Sequence, residues 1–147
     1  LSATRQIVPL NHLLQQFGEM SGLKVQPKKS VLIPLNTAWS QKWCHGYPVL
    51  AKGDTTLILG YHFGNHDTTG YNWEIRLMNC KKRLQVATQV TNSVKQRVVL
   101  FNTVILPAIL FTGMHFTVPR EILKRLERLQ KRFIWKGTTK EVNGRHK

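Results

Sequence analysis

The sequence has few acidic residues. Its 147 residues include 7 Asp and Glu against 22 Lys and Arg, which gives a formal net charge of +15 and a pI near 10.5. Such an excess favours an anionic partner, with nucleic acid ahead of a membrane surface. The only aspartates, Asp54 and Asp67, fall in turn-like segments thirteen positions apart. The chain therefore supplies no neighbouring carboxylate pair that could hold two metal ions for phosphoryl transfer.

Cysteines and long apolar runs are also scarce. Cys44 and Cys80 have no motif spacing, so they predict two free buried thiols, or a disulfide if the protein is secreted. The longest apolar candidate, residues 98–111, is interrupted by Asn102, Thr103 and Pro107 and falls short of the roughly 20 residues that cross a bilayer. We therefore predict no membrane partner. The start at Leu1 indicates a processed product or a cut fragment.

Metal and catalytic motifs are absent from the sequence. His62, His66 and Asp67, with Cys44 and His45, offer ligand atoms but none of the usual zinc spacings, so ordinary turn histidines are the expectation. The glycines of "LGYHFG" do not precede a helix that begins with Lys-Ser or Lys-Thr, as a phosphate-binding loop requires. No Ser or Cys has a His placed by a nucleophile motif. We predict no metal, no cofactor and no catalysis by this chain alone.

The first half of the chain has mixed periodicity. Apolar residues from Ile7 to Phe17 recur at offsets of three and four, which predicts a helix that ends at Gly18 to Gly22. "VLI" at 31–33 predicts a short strand and 36–46 a loop. "YPVL" and "TTLILGYHFG" predict a β-hairpin around the Gly53-Asp54 turn.

The second half is predicted to be helical. A seven-residue apolar repeat starts at Trp73, with Asn72 as a candidate cap, and a second helix begins at Ser93. Pro107 should kink or end this helix, and Pro119 suits the start of a last helix with i, i+4 ion pairs. The sequence thus predicts an α+β fold: a palm-end-like segment at 1–70, a three-helix segment at 71–137 and a flexible basic tail at 138–147. We expect one folded unit overall.

Basic residues cluster on the predicted turn and helices. Each cluster alone is typical of a solvated face, but together, with few acids to balance them, they indicate a phosphate-tracking surface. Tyr61 and Phe63 alternate along one strand and could meet a base or sugar, whereas Trp73 and Trp135 sit in apolar stripes and are predicted core residues. The candidate nucleic-acid-binding residues are Lys24, Lys28, Lys29, Tyr61, Lys81, Lys82, Arg83, Lys95, Arg97, Arg128 and Arg132.

Five segments in order resemble one family. "LLQQFGEMSGLKVQPKKSVLIPL", "LILGYHFG", "NWEIRLMNCKKRL", "SVKQRVVLFNTVILPAILF" and "VPREILKRLERLQKRFIWKG" resemble the region after the catalytic aspartates in LINE-type (non-LTR) retrotransposon reverse transcriptases. The resemblance covers residues 6–137. Two positions depart from the family pattern: Gln26 stands where Asn is usual, and Ile58 precedes Leu59 where Tyr is common.

The resemblance implies a role for each segment. Residues 21–30 would form the palm loop near the incoming nucleotide, with Lys24 and Lys29 facing phosphate. Leu59, Gly60 and Tyr61 would match the hairpin that grips the primer, and residues 72–135 would form the thumb that tracks a template-primer duplex. The strand that carries the catalytic aspartates would lie before Leu1, so this fragment would lack the catalytic metal site.

Two functional hypotheses follow. The first is a non-catalytic palm and thumb fragment that binds duplex, RNA-DNA hybrid or RNA, in the nucleus or cytoplasm. The second is a repurposed protein-interaction module, such as a secreted or host-translocated effector derived from a retroelement. A protein partner or self-association is expected under either hypothesis, because the missing upstream region would leave apolar surface exposed on the N-terminal half.

Overall fold

The computed structural model describes residues 4–36 and 40–135 and has the predicted α+β fold. The chain divides into two compact units, with the boundary between Asp67 and Thr68, three residues before the predicted one. Unit 1 contains one helix and two small hairpins, and unit 2 is helical. The predicted flexible tail at 138–147 lies outside the described residues.

Helix α1, Ile7–Ser21, follows a 3-10 turn at Thr4–Gln6. Gly22 ends the helix in the left-handed conformation, with φ of 76°, and its N–H donates to the Gly18 carbonyl at 2.9 Å. Gly18 has its own reason to be glycine, because a Cβ there would lie 2.7 Å from the Leu23 carbonyl oxygen. The chain therefore turns back tightly on the end of α1, as the glycines predict.

The segment after α1 contains a 3-10 turn at Pro27–Lys29. No regular strand follows this turn at 31–33. The predicted strand at 31–33 is reduced to one parallel bridge between Leu32 and Val49. Leu32 donates to the Pro48 carbonyl and accepts from the Leu50 N–H, at 2.9 and 2.8 Å. The strand prediction is therefore wrong in extent, although the backbone is paired where it was expected.

Two hairpins replace the single one predicted. Strands β1 (Trp43–Cys44) and β2 (Tyr47–Pro48) pair across His45-Gly46, within the segment predicted as a loop. Strands β3 (Thr55–Ile58) and β4 (Tyr61–Gly64) pair across Leu59-Gly60. The Gly53-Asp54 turn only connects the two hairpins. Both hairpin turns hold two successive residues at positive φ, a geometry whose twist matches that of paired strands.

Helix α2, Thr69–Val90, begins three residues before the predicted start. Asn72 lies inside the helix and does not cap it; its side-chain amide donates back to the Thr68 carbonyl at 2.8 Å. The predicted apolar repeat is confirmed, since its members are buried, and Trp73 is fully buried. Trp73 also donates its indole N–H to the Thr117 carbonyl at 2.9 Å.

The next helical rod runs from Val94 to Gly113 without a break. It consists of α3 (Val94–Leu100), a wide π turn at Phe101–Ile105 and α4 (Leu106–Gly113). The helix begins after Ser93, close to the predicted start, and Ser93 caps it, because its hydroxyl accepts the Gln96 N–H at 3.2 Å. In the π turn the Leu106 N–H donates to the Phe101 carbonyl. This wide turn ends directly before Pro107, which can neither donate a helical hydrogen bond nor fit its ring into a regular turn.

Helix α5, Arg120–Trp135, begins directly after Pro119. Its apolar face packs on α2 and the rod in two clusters. One contains Trp73, Leu77, Ile122 and Leu126, and the other contains Cys80, Leu84, Ala87, Phe101, Ile105 and Phe133. The predicted core position of Trp135 is wrong, since the side chain is 49% exposed at the end of α5.

By length and composition, the rod could also cross a membrane. The most apolar stretch of its 20 residues has a mean hydropathy of 1.5, and 11% of that stretch is buried. Core helices of water-soluble proteins meet the same two requirements, so this single helix in the described part of the chain gives weak evidence of a membrane span. Its unusual property is its exposure.

Candidate nucleic-acid interface

The lysines of the turn after α1 all lie on the surface of unit 1. Residues 21–29 are exposed throughout, including Lys24, Lys28 and Lys29. Local hydrogen bonds order the turn: the Ser21 hydroxyl accepts the Leu23 N–H at 3.2 Å, and the Ser30 hydroxyl donates to the Gln26 carbonyl at 2.9 Å. This is a defined backbone that presents three cations to solvent, which suits contact with phosphate.

The primer-grip-like residues occupy the β3–β4 hairpin. Leu59 and Gly60 form its tip, with Leu59 89% exposed at a φ of 51°. Tyr61 is only 6% exposed and packs edge-on against Phe63, with ring centroids 6.4 Å apart. Burial leaves Tyr61 no open ring face for a base, which corrects its predicted binding role. Phe63, at 37% exposed, is the aromatic residue of this strand that could stack.

The three adjacent cations of α2 point in different directions. Lys81, Lys82 and Arg83 are all exposed, but consecutive helical residues are turned by about 100° from one another. Arg83 lies two turns after Arg76, which contacts Thr112 and the Phe111 ring of α4. Lys81 therefore lies on the opposite side from Arg83, and the triplet does not form one binding surface.

Helices α2 and α5 run side by side in the same direction. Near the start of both, Trp73 shares a core cluster with Ile122, and further along Leu84 shares one with Phe133. One exposed ion pair joins them: Arg125 donates both guanidinium arms to Glu74, the second at 3.2 Å. The side of α2 that carries Glu74 therefore lies next to the side of α5 that carries Arg125.

This ion pair determines which cations share a surface. Lys81 follows Glu74 by seven residues, and Arg132 follows Arg125 by seven, so both lie two helical turns, about 10 Å, beyond the pair on the same side. The pKa of Glu74 is lowered chiefly by the hydrogen bond from Arg125, with a smaller contribution from the charge of Lys81. Lys81 is therefore close enough to act on the Glu74 carboxylate.

Arg128 lies one turn from both Arg125 and Arg132, so it belongs to the same surface. We call Lys81, Arg128 and Arg132 the α2–α5 flank. Glu121 lies one turn before Arg125 and Glu127 directly precedes Arg128, so two acids border the α5 part of the flank, whereas no Asp or Glu follows Glu74 on α2. A row of cations of this kind suits a polyanion whose negative charges are regularly spaced along its length.

The outer face of α5 continues this cationic surface. Lys124, Arg128, Lys131 and Trp135 recur at offsets of four, three and four, and all four are exposed. Lys124, Lys131 and Trp135 are absent from the predicted site, although their helical spacing could have identified them. Over residues 68–135, twelve Lys and Arg stand against three Glu, a net charge of +9.

Two predicted binding residues lie on α3 rather than on the helices that carry the flank. Lys95 is exposed at the start of α3, where it borders a groove with Val90 and Val99. Arg97 is half-buried, with its Nε atom buried, so it offers less of its charge to a ligand. Both residues belong to α3, whereas Lys81 belongs to α2 and Arg132 to α5.

Within residues 4–36 and 40–135, no three His, Cys, Asp or Glu side chains gather closely enough to hold a metal ion. His66 instead lies beside the Asn65 side-chain oxygen, 3.3 Å from its Nδ1. The two cysteines are free and buried, one in each unit. Comparisons of the chain with family models, with curated proteins and with solved structures find no match.

Proposed function

We propose that this chain binds nucleic acid, of the template-primer duplex, RNA-DNA hybrid or RNA type, through the backbone phosphates. The observation that carries this proposal is the α2–α5 flank, where Lys81, Arg128 and Arg132 lie on one side of two parallel helices, within residues 68–135 that contain twelve Lys and Arg against three Glu. Cations arranged along a rigid helical surface neutralise successive phosphates and release their counterions. The outer face of α5 extends the contact with Lys124 and Lys131.

The family resemblance supports the same function from a separate direction. In LINE-type reverse transcriptases the corresponding region would be the thumb, and here it coincides with unit 2. We propose a thumb-like role without catalysis, since phosphate contacts position a duplex but carry out no chemistry. Such contacts read little sequence, so the chain should accept duplexes of different sequence almost equally.

The test compares two double variants in anisotropy titrations of a labelled RNA-DNA hybrid. Lys81→Gln with Arg132→Gln removes two charges from the flank. Lys42→Gln with Lys52→Gln removes two exposed charges from unit 1, outside any candidate site. We expect the flank variant to lose about tenfold or more in affinity at 0.1 M salt, and the control to lose much less.

Each outcome has a definite meaning, provided that circular dichroism shows both variants to be as helical as the parent. An equal loss in both variants would show that net charge alone attracts the hybrid, which contradicts the flank. Parent binding too weak to measure at physiological salt would contradict nucleic-acid binding itself.

A second candidate function is the protein-interaction module derived from a retroelement. The exposed apolar residues of the Val94–Gly113 rod favour it, because a water-soluble surface rarely leaves such residues together without a partner. A specific partner with only weak, salt-sensitive affinity for the hybrid would support this alternative over the first.

A further inference from the structure

The Val94–Gly113 rod presents a continuous apolar face to solvent. Val99 and Leu110 of the rod are 56 and 58% exposed, and Met114, directly after the rod, is 75% exposed. At one end, Val90 of α2 and Val104 of the rod, 67 and 43% exposed, line an open groove with Val99. We call these five residues the rod face. Core helices of comparable composition bury such residues, so this face is available to a partner.

Beyond Lys95, which lines the groove at one end, the rod face carries no charge. Residues 98–119, 22 in all, contain no Asp, Glu, Lys or Arg, although a chain with 20% charged residues would place about four in such a length. Lys95 and Arg97 stand only at the N-terminal end of the rod. An uncharged apolar surface of this length is unusual in a protein of net charge +15. A partner for it needs an apolar surface and does not need negative charge.

We propose that the rod face is the contact surface between two copies of this chain. Two copies with net charge +15 repel each other wherever cations meet, but the cation that lines the groove, Lys95, stands at one end of this face. At physiological salt the Debye length is about 8 Å, so charges elsewhere on unit 2 are largely screened across such a contact. A twofold contact of identical apolar faces satisfies both partners at once.

The charges at the end of the rod also set the orientation of the two copies. Lys95 and Arg97 would lie beside their counterparts if the rods ran parallel, and at opposite ends if they ran antiparallel. The antiparallel arrangement also aligns the helix dipoles favourably. It places Val99 of one copy near Leu110 of the other, because these residues lie at similar distances on either side of the rod centre.

The size of the face predicts a weak dimer. Twenty helical residues span about 30 Å, and a helix is about 10 Å wide, so each copy contributes on the order of 300 Å² plus the groove. Stable complexes bury about 800 Å² on each partner. We therefore expect reversible dimerisation that is weaker than in stable complexes and independent of nucleic acid.

Sedimentation equilibrium of the full chain, free of nucleic acid, tests the proposal from about 10 μM to about 1 mM. The parent should dimerise, and Leu110→Lys should remain monomeric because it places a cation in the contact. The matched control is Leu123→Lys, which adds the same charge at a 48% exposed leucine of α5, outside the rod face. The control should dimerise like the parent.

Two further results define the proposal. Dimerisation should strengthen as salt rises, because salt screens the repulsion between copies, whereas hybrid binding should weaken. Failure of the dimer and failure of nucleic-acid binding are therefore distinguishable. Mixing Val99→Glu with Leu110→Lys should restore dimers that neither variant forms alone.

Several outcomes would overturn the proposal. The proposal fails if the parent stays monomeric at every concentration. It also fails if Leu110→Lys and Leu123→Lys reduce dimerisation equally. Co-sedimentation of the parent with neutral phosphatidylcholine vesicles, lost in Leu110→Lys, would show instead that a lipid surface covers the face. Absence of mixed dimers would contradict the antiparallel contact.

Discussion

Arg125 has two acidic residues within reach, and its pairing fixes part of the structure. Glu121 lies one turn before it in α5, the spacing predicted for an ion pair within a helix, yet both guanidinium arms bind Glu74 on α2. The planar guanidinium group of arginine can bind both oxygens of one carboxylate at once. A carboxylate one turn away in the same helix is less well placed for this two-armed contact than Glu74 on α2. This contact holds the Lys81 side of α2 next to the Arg132 side of α5.

Replacing Glu74 by Gln should make unit 2 less stable at neutral pH but not in acid. The pKa of Glu74 is lowered below its ordinary value of 4.5, so the ion pair stabilises the fold above that value. The contribution disappears as pH falls through the lowered pKa, because the carboxyl is then protonated. Since the pair is exposed, we expect a melting-temperature difference of about 1–2 °C at pH 7.

Thermal unfolding of the parent and Glu74→Gln across this pH range measures the effect. Glu121→Gln removes a carboxylate from α5 without removing the contact to α2, so it serves as the control. A difference between parent and Glu74→Gln that persists unchanged below the lowered pKa would contradict the assigned role.

Cys80 should resist thiol reagents in the folded protein. Its side chain is 1% exposed, and burial raises its pKa, with the nearby charges of Arg76 and Arg83 opposing that rise. Less thiolate and no access both slow the reaction. In a Cys44→Ser background, labelling of Cys80 should be at least about a hundredfold slower than in denaturant. A rate close to that of the unfolded chain would show that the α2 core opens readily.

At the scale of elements, the two hairpins depend on unusual turn residues. His45 and Leu59 adopt φ of 49° and 51°, followed by Gly46 and Gly60 at 82° and 87°. Glycine accepts this conformation without cost, whereas a leucine there is strained by about 1–2 kcal/mol. Strain retained at an exposed hairpin tip is typical of residues kept for contact rather than stability. Leu59 therefore remains a candidate contact residue.

Leu59→Asn should stabilise the β3–β4 hairpin, because asparagine tolerates the left-handed conformation far better than leucine. We expect a gain of about 1 kcal/mol, which slows hydrogen exchange of the hairpin amides about fivefold. Leu57→Asn is the control, since Leu57 is also exposed, at 62%, but lies in β3 outside the positive-φ positions. Faster exchange in Leu59→Asn than in the parent would show that the leucine side chain holds the tip in place.

The helices were predictable from the sequence, whereas the hairpins were not. Apolar repeats from Trp73 and from Ile122 are strong local signals, and each has its buried face where the repeat places it. The strand pairings depend on two-residue turns whose first residues, His45 and Leu59, lack the Asn or Asp that usually marks such turns. Gly53-Asp54 carries a turn signal but only links the two hairpins, so the predicted single hairpin around it was wrong.

The candidate site was predictable as a list of cations but not as a surface. Which cations share a side depends on α2 and α5 running parallel and on the Glu74 to Arg125 contact, and neither follows from local periodicity. Helical geometry separates Lys81 from Arg83, which are close in sequence. It places Lys81 on the same side as Arg132, 51 residues later.

At the scale of the whole molecule, charge and apolar surface have opposite consequences. The net charge of +15 attracts phosphate and repels other copies of the chain, and the uncharged rod face is where two copies can meet. Salt therefore weakens one proposed association and strengthens the other. A single change of buffer separates the two.

The most direct test of nucleic-acid binding is the affinity for an RNA-DNA hybrid, measured by fluorescence anisotropy at several salt concentrations below the dimerisation range. The logarithm of the binding constant should fall linearly with the logarithm of salt, with a slope that corresponds to several phosphate contacts. The slope should become shallower by about two when Lys81 and Arg132 are neutralised. A slope near zero, or one that these substitutions leave unchanged, would contradict binding through the α2–α5 flank.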